Sequence, residues 1–199
     1  MTIRYIEDRL IEVDVPQISD VIKPYENQVI NQWKEELPNF PYMYLDENSN
    51  LKDPFSNQTN ALDIRCKIEP LNNILFEVFY NSIHYIFDID EPDEMGNFVY
   101  IQNNERSAQV LHQHIWGNRG KTSVCGTMYL NVPDNGGEFM YYVGRGFKKL
   151  KVQENKLYLF PNWLFHSTCQ QDDWKHRICF NLEYSSNLKA FDKKYRVYW

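Results

Sequence analysis

Residues 110–114 read VLHQH, and the fold prediction for the whole chain starts from this stretch. Successive side chains of a β-strand point to opposite faces of the sheet, so His112 and His114 would share one face if the stretch is extended. The Val-Leu pair before them is typical of a buried strand. A third ligand from a distant strand would complete a metal site, and His166 is the obvious candidate. The pattern therefore predicts three histidines that converge on one metal ion inside a β-barrel.

Short β-prone runs separated by turn residues continue from Phe98 to Tyr184. The turns are supplied by Asp134-Asn135-Gly136-Gly137 and Gly144-Arg145-Gly146. Short strands at such regular spacing favour a sandwich or jelly roll over a parallel sheet. The predicted strands are 98–102, 108–114, 122–130, 137–143, 150–153, 156–160, 163–169 and 177–184.

The first half of the chain contains two predicted helices. Apolar residues recur at helical spacing within 16–36, and Pro24 is tolerated there because it falls near the first turn. A second helix is predicted over 69–87, with an apolar stripe that should pack against the outside of a sheet. Weak alternation in 3–15 predicts an opening strand or hairpin, and the polar segment 46–60 predicts a loop.

We expect residues 1–199 to form a single domain, since a mainly β domain of this length can carry helices outside its barrel. Residues 1–97 would be a helical and strand support, 98–184 a jelly-roll core, and 185–199 a C-terminal tail. The predicted fold class is therefore mainly β with flanking helices.

Composition narrows the possible functions. Of the 199 residues, 43% are hydrophobic, which is enough for a sizeable core. The formal net charge of −6 argues against nucleic-acid binding, which relies on a basic surface, and the basic run 145–151 is expected to be a solvated loop. Four cysteines without CxxC spacing predict reduced thiols. Without an apolar leader or a run long enough to cross a bilayer, we expect a cytoplasmic protein that does not bind membranes.

The ligand types point to iron. Non-haem iron enzymes that handle dioxygen often use two histidines and one carboxylate on one side of the metal, which leaves positions open for a co-substrate and for dioxygen. Here His114 stands where that carboxylate is usual, so three neutral imidazoles would leave iron(II) with two residual positive charges instead of one. Glu138, in the hairpin after two glycines, is the alternative carboxylate ligand.

These motifs together resemble a known family. Their order and spacing are similar to those of iron(II)- and 2-oxoglutarate-dependent dioxygenases, specifically the prolyl-4-hydroxylase-like branch, whose core is a double-stranded β-helix (jelly-roll) barrel. A closer likeness is to a set of oxygenase-like proteins that have His-x-His where that branch has His-x-Asp. The resemblance covers a little under half of the chain and rests on His112-Gln113-His114, Tyr129-Leu130-Asn131, Gly136-Gly137-Glu138, Leu159-Phe160-Pro161, His166 and Arg177.

The resemblance implies a role for each matched residue. Arg177 would pair with the distal carboxylate of 2-oxoglutarate, because a guanidinium matches a planar carboxylate in two parallel hydrogen bonds. Tyr129 would donate its hydroxyl to the same carboxylate. The residues implied as iron(II) ligands, and so as the catalytic centre, are His112, His114 and His166.

Two departures from the family pattern affect the co-substrate site. Cys179, which would line this site, stands where the family often has serine, so one hydroxyl contact is replaced by a thiol. The Phe180-Asn181 pair follows Arg177 two residues sooner than the closer pattern expects. Counted back from Asn181, Lys175 is the alternative basic residue for the co-substrate.

The implied reaction is hydroxylation of a C–H bond, coupled to decarboxylation of 2-oxoglutarate with dioxygen as the oxidant. The substrate is either a small molecule or a peptide, and the oligomeric state is open. Two other functions remain as hypotheses. The first is a cupin-like three-histidine metal dioxygenase that uses no 2-oxoglutarate and therefore has no need of Arg177. The second is a non-catalytic metal-binding module with a closed ligand set.

Overall fold

The structure, a computed structural model, describes residues 2–7, 10–36, 63–87, 94–102, 111–114, 122–171 and 175–186. This part of the chain is mainly β, with helices on one side, as the sequence predicts. Its strands are β1 (Ile3–Glu7), β2 (Leu10–Asp14), β3 (Asp63–Arg65), β4 (Glu94–Gln102), β5 (Thr122–Asn131), β6 (Phe139–Tyr142), β7 (Phe147–Leu150), β8 (Lys156–Pro161), β9 (His166–Thr168) and β10 (Arg177–Ser186). Its α-helices are α1 (Ile18–Ile22), α2 (Glu26–Glu36) and α3 (Glu69–Phe87).

The described strands form two antiparallel sheets. The larger has seven strands in the order β1-β2-β8-β5-β10-β4-β3, and the smaller has three in the order β7-β6-β9. Two isolated β-bridges lie outside these strand pairings. His112 pairs with His166, and Gly136 pairs with Gln171. The N-terminal strands β1, β2 and β3 extend both edges of the larger sheet, so the predicted support segment also contributes strands.

Two separate cores follow from the alternation of side chains along the larger sheet. On β10, Ile178, Phe180 and Leu182 pack with the helices, whereas Cys179 packs with aromatic residues between the two sheets. Because strand neighbours point to opposite faces, Arg177, Cys179, Asn181 and Glu183 form one inward row. The strand is thus apolar toward the helices and mostly polar toward the interior of the barrel.

The helices cover the outer face of the larger sheet. Helix α3 spans the predicted range and buries Leu71, Leu75, Phe79 and Ile83. The single helix expected within 16–36 is instead broken into α1 and α2 by a 3-10 turn at Lys23–Tyr25. Pro24 explains the break, because proline has no N–H for a helical hydrogen bond and its ring clashes with the preceding turn. Among the described residues, no helix is both long and apolar enough to span a bilayer.

Some strand boundaries differ from the prediction. The strand predicted over 150–153 is wrong, because β7 occupies Phe147–Leu150 and pairs with β6 across the glycine turn. Its exposed Lys148 and Lys149 hide the apolar alternation that sequence analysis relies on. The basic run 145–151 therefore contains an edge strand as well as a loop, and exposed lysines are a common protection of such edges. The strand predicted over 163–169 is limited to β9, because a turn from Pro161 to Leu164 precedes it.

Other predictions lie wholly or partly outside the described residues. The loop 46–60 and positions 108–110 of the second predicted strand are among them. Of the C-terminal tail predicted for 185–199, the first two residues belong to β10 and the rest lie outside the described residues. Strand β3 was not predicted, since three residues are too few to show a periodic pattern.

Helix α3 approaches the sheet closely at Gly126 on β5. A Cβ atom at this position would lie 2.6 Å from Cε2 of Phe79 and 3.0 Å from Cδ1 of Leu157. We expect Gly126→Ala to lower the free energy of unfolding by about 1–3 kcal/mol, the usual cost of overpacking a core. Urea denaturation of both proteins measures the difference. In a Phe79→Leu background, which removes the contacting ring edge, the same substitution should cost less. An equal cost in both backgrounds would contradict the packing explanation.

Candidate metal centre

Backbone pairing brings the three predicted histidines together. The N–H of His112 donates to the carbonyl of His166 at 2.9 Å, and the N–H of His166 donates to the carbonyl of His112 at 3.0 Å. The N–H of His114 donates to the carbonyl of Asn162 at 2.7 Å. The segment that carries the His-x-His pair therefore lies against β9 and the turn before it, and residues two apart face the same side.

The rings form a compact group. Ring centroids are 4.4 Å apart for His112 and His166, and 5.1 Å apart for each of the other two pairs. One nitrogen from each ring lies within 4.8 Å of the others. His166 is buried, and His112 and His114 are half-buried. The predicted convergence of these three side chains is therefore present in the structure.

The hydrogen bonds on the far side of two rings define where their lone pairs point. Nδ1 of His166 lies 2.8 Å from the carbonyl oxygen of Leu164, and Nδ1 of His114 lies 2.6 Å from Oε1 of Glu183. Both partners are acceptors, so we assign an N–H proton to Nδ1 of each ring. The two Nε2 atoms then carry lone pairs, although they lie only 3.3 Å apart. A metal ion, or a proton on one of the two nitrogens, removes the repulsion between lone pairs at this distance.

The same distance fits a coordinated metal. Imidazole nitrogens bind a divalent metal at about 2.0–2.1 Å, so two ligands at angles between about 90° and 110° are roughly 2.8–3.4 Å apart. The separation of 3.3 Å between the Nε2 atoms falls in this range. A nitrogen-rich ligand set of this kind suits iron, zinc, copper or nickel. The residues present therefore fit a bound transition metal.

The surroundings keep His166 neutral. Burial, together with the neighbouring His112 and His114, holds the pKa of His166 well below its usual value. The rings of Phe139 and Phe160 lie 5.2 Å and 4.7 Å from its ring, centroid to centroid. A neutral imidazole is the form that binds metals, so this ring is prepared for coordination without losing a proton.

Glu138, the alternative ligand, is not in this group. Among the described residues, the group of potential metal-binding side chains consists of the three histidines alone. The Glu138 carboxylate lies near Cys169 instead, where burial first and this negative charge second raise the pKa of the thiol. The structure thus groups His114, and not Glu138, with the other two histidines.

Arg177 lies fully buried at the start of β10, on the inward face. Its Nε donates to the carbonyl of Gly137 at 3.0 Å, Nη1 lies 3.3 Å from Sγ of Cys179, and Nη2 donates to the Tyr129 hydroxyl at 3.0 Å. These contacts use three of the five N–H donors of a guanidinium. No carboxylate among the described residues pairs with it. A buried cation without an anion is costly, so the site is suited to a negatively charged ligand.

Two neighbours position Arg177. Gly137 has φ +68°, and a Cβ atom there would lie 3.2 Å from Cδ of Arg177 and 2.7 Å from Cγ of Pro133. Only glycine fits both the backbone conformation and the approach of the arginine chain. On the other side, the ring centroid of Tyr129 lies 4.8 Å from Cζ of Arg177. Burial raises the pKa of Tyr129 to about 12, so its hydroxyl keeps a proton that it can donate to a ligand.

The remaining predicted residues are also placed. Cys179 lies beside Arg177 in the inward row and contacts it through sulfur, so it lines the same pocket. Lys175 is exposed, whereas Arg177 is buried beside Tyr129 and Cys179. Thr127, two residues before Tyr129 on the same strand face, has a buried hydroxyl with no normal hydrogen bond to the described residues.

Sequence analysis missed Glu183. Its carboxylate reaches His114 from the far end of the row that begins at Arg177. The signal was available, because 177, 179, 181 and 183 share one face of a predicted strand. The alternation does not show which side chain Glu183 reaches, because that contact depends on the packing of distant segments.

Comparisons with known proteins give a match in structure alone. No family model and no curated protein matches the sequence. The structure is similar to a Pseudomonas putida prolyl-4-hydroxylase, with a TM-score of 0.62, 10% identity, and coverage of 89% of this chain and 92% of that one. It is similar to a Trichoplax adhaerens prolyl hydroxylase solved with a hypoxia inducible factor peptide, with a TM-score of 0.62, 15% identity, and coverage of 96% of this chain and 86% of that one. It is also similar to the non-heme alpha ketoglutarate dependent epimerase SnoN from nogalamycin biosynthesis, with a TM-score of 0.61, 10% identity, and coverage of 95% of this chain and 86% of that one.

These similarities extend over nearly the whole chain at low identity, so they establish the fold. The chain has the double-stranded β-helix fold of the 2-oxoglutarate- and iron(II)-dependent oxygenases to which it is similar. The predicted likeness to prolyl-4-hydroxylases is confirmed at this level. The likeness also reaches beyond the 98–184 core that the motifs covered.

The metal centre can be tested without any assumption about catalysis. We expect the purified protein to bind cobalt(II), used as a spectroscopic probe, with one ion per chain. His114→Ala and His166→Ala should each weaken binding by at least tenfold, because each removes one ligand nitrogen. His84→Ala is the matched control, since His84 lies exposed on α3. Titration followed by visible absorption measures the affinity, and equal binding by all four proteins would contradict the assignment.

Proposed function

We propose that this protein is an iron(II)- and 2-oxoglutarate-dependent oxygenase. The observation that carries the proposal is the pairing of two features in one barrel: lone pairs that converge on a point, and a buried guanidinium that faces the same interior without an anion among the described residues. A structural metal site alone would not explain the arginine. The fold shared with oxygenases of this class supports the same conclusion.

Each residue would have a distinct task. His112, His114 and His166 would hold iron(II), and three protein ligands would leave positions open for a co-substrate and for dioxygen. Bound iron would supply the activation of dioxygen that protein side chains lack. The aromatic residues packed around His166 would exclude water from this side of the centre.

The co-substrate would be oriented by its two charged ends. Arg177 would bind the distal carboxylate of 2-oxoglutarate with its remaining N–H donors, and Tyr129 would donate its hydroxyl to the same group. The keto acid end would then lie toward the histidines, at the other end of the inward row of β10. Cys179 would offer a weak S–H donor and a small apolar surface in place of a serine hydroxyl.

The reaction on the prime substrate is a further part of the proposal. We expect hydroxylation of a C–H bond, with dioxygen as the oxidant and carbon dioxide and succinate as the products of 2-oxoglutarate. The proteins of similar fold include prolyl hydroxylases, one of them solved with a peptide, and an epimerase. A peptide or a small molecule is therefore the substrate class that this likeness supports.

Turnover of the co-substrate is the first test. Protein loaded with iron(II) and exposed to dioxygen should release succinate from 2-oxoglutarate, slowly when no prime substrate is added. His166→Ala should release none above the level of free iron. Anaerobic binding of 2-oxoglutarate to the cobalt(II) form should accompany this activity. Metal binding without any binding of 2-oxoglutarate would overturn the proposal and favour the cupin-like alternative.

The anion pocket gives a second test. Arg177→Gln should weaken 2-oxoglutarate binding by about 2–5 kcal/mol, the usual cost of removing one partner of a buried charge pair. Tyr129→Phe should cost about 1 kcal/mol, because it removes one hydrogen bond. Lys175→Gln, the same loss of charge on an exposed residue two positions away, should have little effect. Calorimetry on the metal-loaded proteins measures all three, and an unchanged affinity in Arg177→Gln would contradict the assigned role.

A further inference from the structure

The metal centre lacks the carboxylate ligand that iron sites of this kind often have. Three neutral imidazoles bring no negative charge to the metal, whereas two histidines and one carboxylate bring one. We propose that Glu183 supplies this charge through His114, as a positioning residue that fixes the ring and makes it a stronger ligand. This inference rests on the proposed function, because it concerns the same centre.

The contact between Glu183 and His114 is short and well placed. Oε1 of Glu183 lies 2.6 Å from Nδ1 of His114, which is within the range of charge-assisted hydrogen bonds. The other ring nitrogen, Nε2, faces His166. A hydrogen bond to Nδ1 holds its proton there and leaves Nε2 free to bind the metal. The carboxylate thus selects the ring orientation and tautomer that coordination needs.

The fold gives Glu183 room to make this contact. Its partners across the strands on either side of β10 are Gly96 on β4 and Cys125 on β5, which are both small. The Glu183 side chain is 31% exposed, so it keeps part of its contact with solvent while it reaches the ring. A large side chain at either neighbouring position would compete with the carboxylate for this space.

The charges in the site balance only when Glu183 is counted. Iron(II) and Arg177 together carry three positive charges, and 2-oxoglutarate carries two negative charges. The Glu183 carboxylate brings the sum to zero. A site with two histidines and an aspartate ligand reaches the same sum. Here the negative charge would lie on Glu183, hydrogen-bonded to His114, instead of on a residue bound to the metal. A carboxylate in that position also raises the basicity of the imidazole.

Metal binding tests the inference apart from turnover. Partners of metal-binding histidines typically contribute 10- to 100-fold to metal affinity. We therefore expect about 10-fold weaker cobalt(II) binding in Glu183→Gln, which keeps an acceptor but loses the charge, and about 100-fold weaker binding in Glu183→Leu, which loses both. Glu154→Gln, with the same charge change in the turn before β8, is the control. Wild-type affinity in both Glu183 variants would overturn the inference.

Two further readouts separate this role from a purely structural one. Proton NMR of the zinc(II) form should show the Nδ1–H of His114 as a downfield, slowly exchanging signal in the wild type and in Glu183→Gln, and as a faster-exchanging signal in Glu183→Leu, where no acceptor holds it. The midpoint potential of the iron(III)/iron(II) couple should rise in Glu183→Gln, because a nearby negative charge stabilises iron(III) more than iron(II) and its removal disfavours the oxidised state. A potential equal to that of the wild type would contradict the electrostatic part of the inference.

The sharpest test moves the carboxylate back to the metal. In a His114→Asp background, Glu183 has no ring to act on and lies near a second negative charge. Glu183→Gln should then lower cobalt(II) affinity much less than the tenfold expected with His114 present, because the effect that passes through the imidazole is gone. The same loss of affinity in both backgrounds would overturn the inference. If the wild type itself binds no metal, the proposed function fails first, so the two failures are distinguishable.

Discussion

The pair of backbone hydrogen bonds between His112 and His166 is the constraint on which the site depends. These residues are more than fifty positions apart in sequence, yet each donates to the carbonyl of the other. The bonds fix the separation of the two backbones, and the extended geometry then places His114 on the same side as His112. Because the ring of His166 is anchored through Leu164, the direction of its lone pair follows from the backbone as well. The metal centre is thus defined mainly by main-chain geometry, with side chains added to a frame that already exists.

Strand β10 connects this centre to the anion pocket. Its outward residues hold the helices, and its inward residues run from Arg177 beside Tyr129 to Glu183 beside His114. A single strand therefore carries a buried cation at one end and a carboxylate that contacts His114 at the other. The central position of β10, between β5 and β4, makes this row rigid, since both of its edges are paired. Rigidity matters because the ligand groups must hold their relative positions before anything binds.

The sequence contained the information for the ligands and for most strands, but less for what surrounds them. His112, His114 and His166 were recognisable because their spacing matches strand periodicity, and α3 because its apolar stripe is long. The division of the first helix at Pro24 and the place of β7 were harder to predict. Proline is tolerated in the first turn of a helix, so Pro24 did not by itself predict a break. The exposed lysines of β7 hide the apolar alternation that would identify a strand. Glu183 could not be linked to His114 from spacing alone, since that contact depends on the packing of distant segments.

An all-nitrogen ligand set has a consequence for metal selection. Without an oxygen ligand, such a site follows the general order of affinities, in which copper and zinc bind imidazole more tightly than iron does. Affinity by itself would then favour the wrong ion, and cellular supply would decide which metal the protein carries. A carboxylate that contacts only a histidine ligand, as Glu183 contacts His114, does not give the preference for a harder ion that a directly bound carboxylate gives. The identity of the metal in such a protein is therefore a property of its environment as much as of its sequence.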